Sequence, residues 1–254
     1  MWNRGRKRTM AVMALIFRTV LGLHIIAGTT ALLVFWIPLV TKKGGRTHRR
    51  AGWVYVTAAA IVAATGIASA GRLIFYPPRP HAWRGGIFLV YVGLFAAESA
   101  LLGARALRPS MRTDRVQSAV DLVPSLLLVA GGVALAAFGL SQAQPLFILF
   151  AALGVVQGAT HLRAWLTGRN RREGRLLAHM SAMGTSCITT LTAFIVVNAP
   201  RLGMRRFDAR LWALPIVVLG LGLAMMRRYY AKRFAQGGAP PESIDEAVSG
   251  PLNL

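Results

Sequence analysis

The strongest constraint in this chain is the recurrence of long apolar runs separated by short polar connectors. About 20 apolar residues carry a helix across the hydrocarbon core of a bilayer at 1.5 Å per residue. Inside that core each backbone N–H and C=O must find its partner within the segment, which leaves helices as the open-chain solution. The runs predict helices over 17–40, 51–71, 86–106, 117–140, 145–166, 176–198 and 210–228. The expected fold is therefore all-α, a transmembrane bundle of about seven helices over 1–235. The tail at 236–254 holds Gly237, Gly238, Pro240 and Pro241 followed by acidic residues, and it reads as a disordered polar extension.

Composition agrees with that reading. Hydrophobic residues make up 55% of the 254, and charged residues only 15%, against about 25% in a soluble domain. The net charge of +22 would suggest nucleic acid if the cations formed one stripe. Here they cluster at the ends of apolar runs, where they meet anionic headgroups and fix orientation. The expected partners are membrane lipids, with other membrane subunits as a further class and no nucleic acid. The connectors holding Lys42, Lys43, Arg46, Arg49, Arg50, Arg112 and Arg171, together with Arg227 to Arg233, fall on one side of the membrane and carry most of the Lys and Arg. This favours an inner-membrane protein with its N-terminus outside and its C-terminus cytoplasmic. Arg4 to Arg8 before an apolar run imitate a signal peptide, but no A-x-A site follows, so the run is kept as a membrane helix. The single cysteine, Cys187, excludes a disulfide framework within the chain.

An Asp, Lys or Arg at a helix centre costs about 2.5–3.5 kcal/mol on the insertion scale, so ionisable groups inside the runs mark places of interest. They are His24, Glu98, Asp121, His161 and His179, with His48 at a helix mouth. Gly28 follows His24 by one turn, and Gly52 follows His48 by one turn. A glycine so placed leaves a gap beside the imidazole for a flat macrocycle, or else allows close helix contact. Gly154-x-x-x-Gly158 is a helix-contact pattern, with Gln157 four residues before His161. His179, Met183, Ser186 and Thr190 share one face, and histidine with methionine suits a haem or copper ligand pair as well as an interhelical polar seam. His48, His161, His179 and Asp121 fall towards one end of their helices. Brought together, they would suit zinc with an open position for water. Glu98, with Ser99 beside it, reads as a proton-carrying group or the partner of an arginine on another helix. P-loop, Rossmann, HExxH and GxSxG patterns are absent.

The stretch His24, Gly28, Ala31, Pro38 and His48-Arg49-x-x-Gly52 resembles a family of uncharacterised bacterial multi-pass membrane proteins with a domain of unknown function. His179-Met180-x-x-Met183 and Thr192-Ala193-Phe194 resemble its C-terminal signature. More distantly, histidines on successive helices resemble b-type membrane cytochromes, which place ligands at two matched depths. Three readings follow. The first is a b-type haem held by His24 and His48 with His161 or His179, serving electron transfer or assembly of a respiratory complex. The second is a zinc-dependent hydrolase acting on lipid through His48, His161, His179 and Asp121. The third is a non-catalytic structural subunit whose histidines only join helices.

Overall fold

The computed structural model describes residues 2–107, 115–167, 172–205 and 208–236. The tail from 237 and the connector residues Arg108, Arg112, Arg169 and Arg171 lie outside these. The described residues form α1 (Trp2–Val34), α2 (Trp36–Val40), α3 (Arg46–Phe75), α4 (Ala82–Arg105), α5 (Arg115–Ser141), α6 (Pro145–Leu166) and α7 (Arg172–Asn198). A 3-10 turn (Ala199–Leu202) and α8 (Ala209–Ala235) follow. Among the described residues, seven spans are long and apolar enough to cross a membrane, α1 and α2 together making the first. The protein is a multi-pass membrane protein with an all-helical fold.

The helices outrun their apolar stretches. α1 continues back through Arg18, which is exposed, and α3 starts at Arg46 rather than 51. α8 continues through Arg227 and Arg228 to Ala235, stopping just short of Gly237 and Gly238. Arginine and lysine are good helix formers, so a basic run marks the edge of the bilayer, whereas Gly and Pro mark the edge of the helix. One break lies inside a span. Pro38 has no N–H to offer the carbonyl of Val34, and the helix divides there into α1 and α2.

α4 is the most buried span, packing against α3, α5, α6 and α7, while α1 packs on α3, α5 on α6 and α7 on α8. Between lipid-facing helices there is no hydrophobic drive, so close approach through small residues matters. A Cβ on Gly86 would lie 2.9 Å from the carbonyl of Ala70 on α3, and one on Gly158 would lie 2.8 Å from the carbonyl of Ser125 on α5. Gly158 thus lets α6 close on α5, while Gly154 makes room for the Tyr91 ring of α4. Aromatic side chains fill the centre. Phe88 stacks on Phe147 at 4.9 Å and meets Trp212 of α8 edge-on at 5.2 Å. A second cluster of Ala31, Phe35, Tyr55 and Ala58 joins α1 to α3.

Candidate functional site

Two histidines meet at the end of the bundle where α2 gives way to α3. His48 stands in the first turn of α3 and His179 in the second turn of α7. Their ring centroids are 6.4 Å apart, with the planes tilted by 57°. The last carbonyls of a helix have no partner within it, and each histidine serves one of them. His48 Nδ1 lies 3.1 Å from the Pro38 carbonyl at the end of α2. His179 Nδ1 lies 2.7 Å from the Gly103 carbonyl at the end of α4. A carbonyl only accepts, so in both rings Nδ1–H donates, and the neutral ring keeps its lone pair on Nε2. Lys43 closes the same turn, donating to the carbonyls of Pro38 at 2.8 Å and Leu39 at 2.7 Å. Desolvation of its ammonium by burial lowers the Lys43 pKa from the usual lysine value.

The glycines divide in role. A Cβ on Gly52 would meet nothing within 4 Å, so space stands open one turn below His48. A Cβ on Gly28 would make only ordinary contact with Val62, at 3.8 Å. The glycine that accommodates His24 is Gly66, whose added Cβ would lie 3.3 Å from His24 Cε1. His24 Nδ1 pairs with Thr65 Oγ1 at 2.9 Å. His24 is fourteen residues before Pro38, which at 1.5 Å per residue separates it from the His48 layer by roughly 20 Å. Met183 packs against α4, where a Cβ on Gly103 would lie 2.7 Å from its sulfur. The polar face of α7 looks inward as expected, with Tyr55 Oη 2.8 Å from Ser186 Oγ and 3.1 Å from Thr190 Oγ1.

A second polar centre lies deeper. Glu98 on α4 is 1% exposed and gathers groups from two other helices. His161 Nδ1 on α6 is 2.6 Å from Glu98 Oε1, and Ser125 Oγ on α5 donates to the same oxygen at 3.0 Å. Gln157 Nε2 donates to Glu98 Oε2 at 2.6 Å and to Ser99 Oγ at 2.8 Å. Ser99 in turn donates to the Phe95 carbonyl at 2.7 Å. A carboxylate can accept all three donors, with Nδ1–H of His161 turned to Glu98 and Nε2 on the far side of the ring. His161 and Gln157 also line a cavity of about 310 Å³ between α4, α6, α7 and α8.

The structure thus sorts the candidate residues into separate places. His48 and His179 come together. His161 goes to Glu98 and His24 to Thr65. Asp121 binds Arg105 at 2.6 Å, so the carboxylate is held by an arginine rather than by the histidines. Among the described residues, no group of three or more His, Cys, Asp or Glu is placed to hold a metal ion. The partner of Glu98 is a histidine, not an arginine. Reasoning from sequence overlooked Ser125 and Ser181. Ser125 and Ser181 are single hydroxyls in apolar helices, and only the helix neighbours reveal what they face. No protein-family model, no curated protein and no solved structure matches this chain.

Proposed function

We propose that the protein is a membrane haem protein in which His48 and His179 are the axial pair, serving electron transfer or the assembly of a respiratory complex. The observation that carries this is the 6.4 Å ring separation with both Nδ1 atoms tethered. Two opposed imidazoles at about 2.0–2.1 Å from a shared metal set their centroids roughly 6 Å apart. Tethering of Nδ1–H to a carbonyl is also what fixes the tautomer and aim of a ligating histidine. The pair supplies two protein ligands, where zinc ordinarily takes three or four. A haem brings its own four nitrogens and needs only an axial pair. The open space at Gly52 would give the macrocycle room, and Lys42 and Arg46 of the adjoining basic segment would offer cations to its carboxylates.

In this reading haem supplies the one-electron chemistry, while the chain orients the axial nitrogens. His24 and His161 then hold helices together instead of ligating. The basic end faces the cytoplasm of an inner membrane, and membrane lipids or neighbouring subunits cover the rest.

The structural reading rests on a specific observation too, because each histidine caps a helix end whether or not it binds anything. An absorption spectrum of the detergent-purified protein, air-oxidised and then dithionite-reduced, separates the two. A Soret band that sharpens and shifts on reduction is expected, together with its loss in His48→Ala and His179→Ala but not in His24→Ala. A flat visible spectrum from protein made in haem-supplemented cells overturns the proposal and favours a structural subunit.

A further inference from the structure

The cavity beside Glu98 carries an inference that does not depend on the haem reading. Its walls are mainly apolar and include three aromatic side chains, Phe95, Phe150 and Trp212. Two polar features converge on it. One is His161, which lies on the cavity wall with Nδ1 2.6 Å from Glu98 Oε1; a neutral ring that donates Nδ1–H to the carboxylate has Nε2 left as an acceptor. The other is Ser181 on α7. A serine or threonine inside a helix ordinarily returns its hydroxyl to the carbonyl four residues back, as Thr189, Thr190 and Thr192 do on this same helix. Ser181 Oγ does not. It is buried with no hydrogen-bond partner, on a residue that lines the cavity. A buried hydroxyl without a partner is costly, and a ligand atom would remove that cost.

We infer that this cavity is a binding site for a neutral aromatic alcohol, a phenol-type molecule whose hydroxyl donates to His161 Nε2 and accepts from Ser181 Oγ. Neutrality follows from the bilayer setting, where a charge is expensive. The hydroxyl follows from the pairing of one acceptor with one donor. The aromatic body follows from the ring-lined wall, since stacked or edge-on rings gain beyond simple burial. A volume of about 310 Å³ lies at the small end of ligand pockets and limits the molecule to one or two rings. Gln157 is a positioning residue, because its amide holds Glu98 and Ser99 rather than the ligand.

The test uses 2-naphthol and its methyl ether, 2-methoxynaphthalene, with the full-length protein in detergent and empty micelles as the blank. Equilibrium dialysis should give saturable binding of one naphthol per chain, with the ether at least tenfold weaker. His161→Phe should bring naphthol down to the level of the ether. Thr185→Trp, which fills the cavity from α7, should abolish binding of both, and it keeps the test decisive if the first variant does not fold. Equal binding of naphthol and ether overturns the inference in favour of a purely apolar pocket for acyl chains. Binding no greater than in empty micelles, or binding untouched by Thr185→Trp, overturns the site itself. The haem spectrum is read separately, so either proposal can fail alone.

Discussion

Replacing Glu98 probes the deepest polar contact in the bundle, and the geometry sets different sizes for two substitutions. Three donors converge on the carboxylate, from Ser125, His161 and Gln157. Interhelical hydrogen bonds in membranes average about 0.6 kcal/mol, with a maximum near 1.7. Glu98→Ala removes all three acceptor contacts and so should cost about 2 kcal/mol, rising towards 5 if each donor is left unsatisfied. Glu98→Gln keeps the shape. Its carbonyl oxygen can take the place of Oε1 and serve Ser125 and His161. Its NH2 would then face the Gln157 NH2, and the clash is relieved if the Gln157 amide turns over. That turn breaks the Gln157–Ser99 bond at 2.8 Å, so about one bond is lost and the expected cost is about 0.6 kcal/mol. Titration with sodium dodecyl sulfate from mixed micelles, followed by tryptophan fluorescence, measures both values. Equal costs for the two variants, or an alanine variant within 0.5 kcal/mol of the parent, would refute the reasoning that three bonds meet on one carboxylate.

Further tests address the contacts around the two sites. Gly103→Ala places a Cβ 2.7 Å from the Met183 sulfur and 3.1 Å from the Met183 nitrogen. It should destabilise by about 1–3 kcal/mol as overpacking does, with partial rescue by Met183→Ala in the same unfolding assay. Tyr55→Phe loses the bonds to Ser186 and Thr190 and should cost about 1 kcal/mol at roughly 0.6 per bond. A value near zero would show that the α3–α7 seam is held by packing alone. Asp208 caps α8 by accepting from the Arg210 amide at 3.0 Å. The Arg210 side chain and that amide lower its carboxyl pKa to about 2. A depressed folded pKa means the cap is fully present above the ordinary value of 3.8 and is lost as pH falls towards 2. Amide exchange at Arg210 and Leu211 should therefore show excess opening at low pH, and Asp208→Asn should flatten that dependence.

The number of spans was legible because hydropathy and length decide it, and α6 matches its expected bounds of 145 and 166. The Ser141–Gln144 turn and Pro145 at the first helical position signal that start chemically. The ends of α1, α3 and α8 were not legible from hydropathy, since arginines leave the bilayer without leaving the helix. Partnerships were harder still. Gln157 and His161 were visibly on one face, being four apart, and Glu98 was visibly out of place in an apolar run. That they face each other depends on α4 lying against α6, and helices rich in Gly, Ala, Leu and Val on every side carry little record of their neighbours.

α4 explains why the histidines divide as they do. Its Gly103 carbonyl, left free by the helix end, takes His179, and five residues earlier its Glu98 takes His161. At 1.5 Å per residue these anchors lie only about 7–8 Å apart along one rigid element. α4 touches α3, α5, α6 and α7, so it fixes both polar centres, whereas the lipid-facing first span holds His24 apart with Thr65. Histidines that look equivalent in sequence thus acquire different chemistry from what α4 offers them. His179 is tethered through Nδ1 to a main-chain carbonyl at the end of α4. His161 is instead tethered through Nδ1 to a carboxylate, beside a cavity.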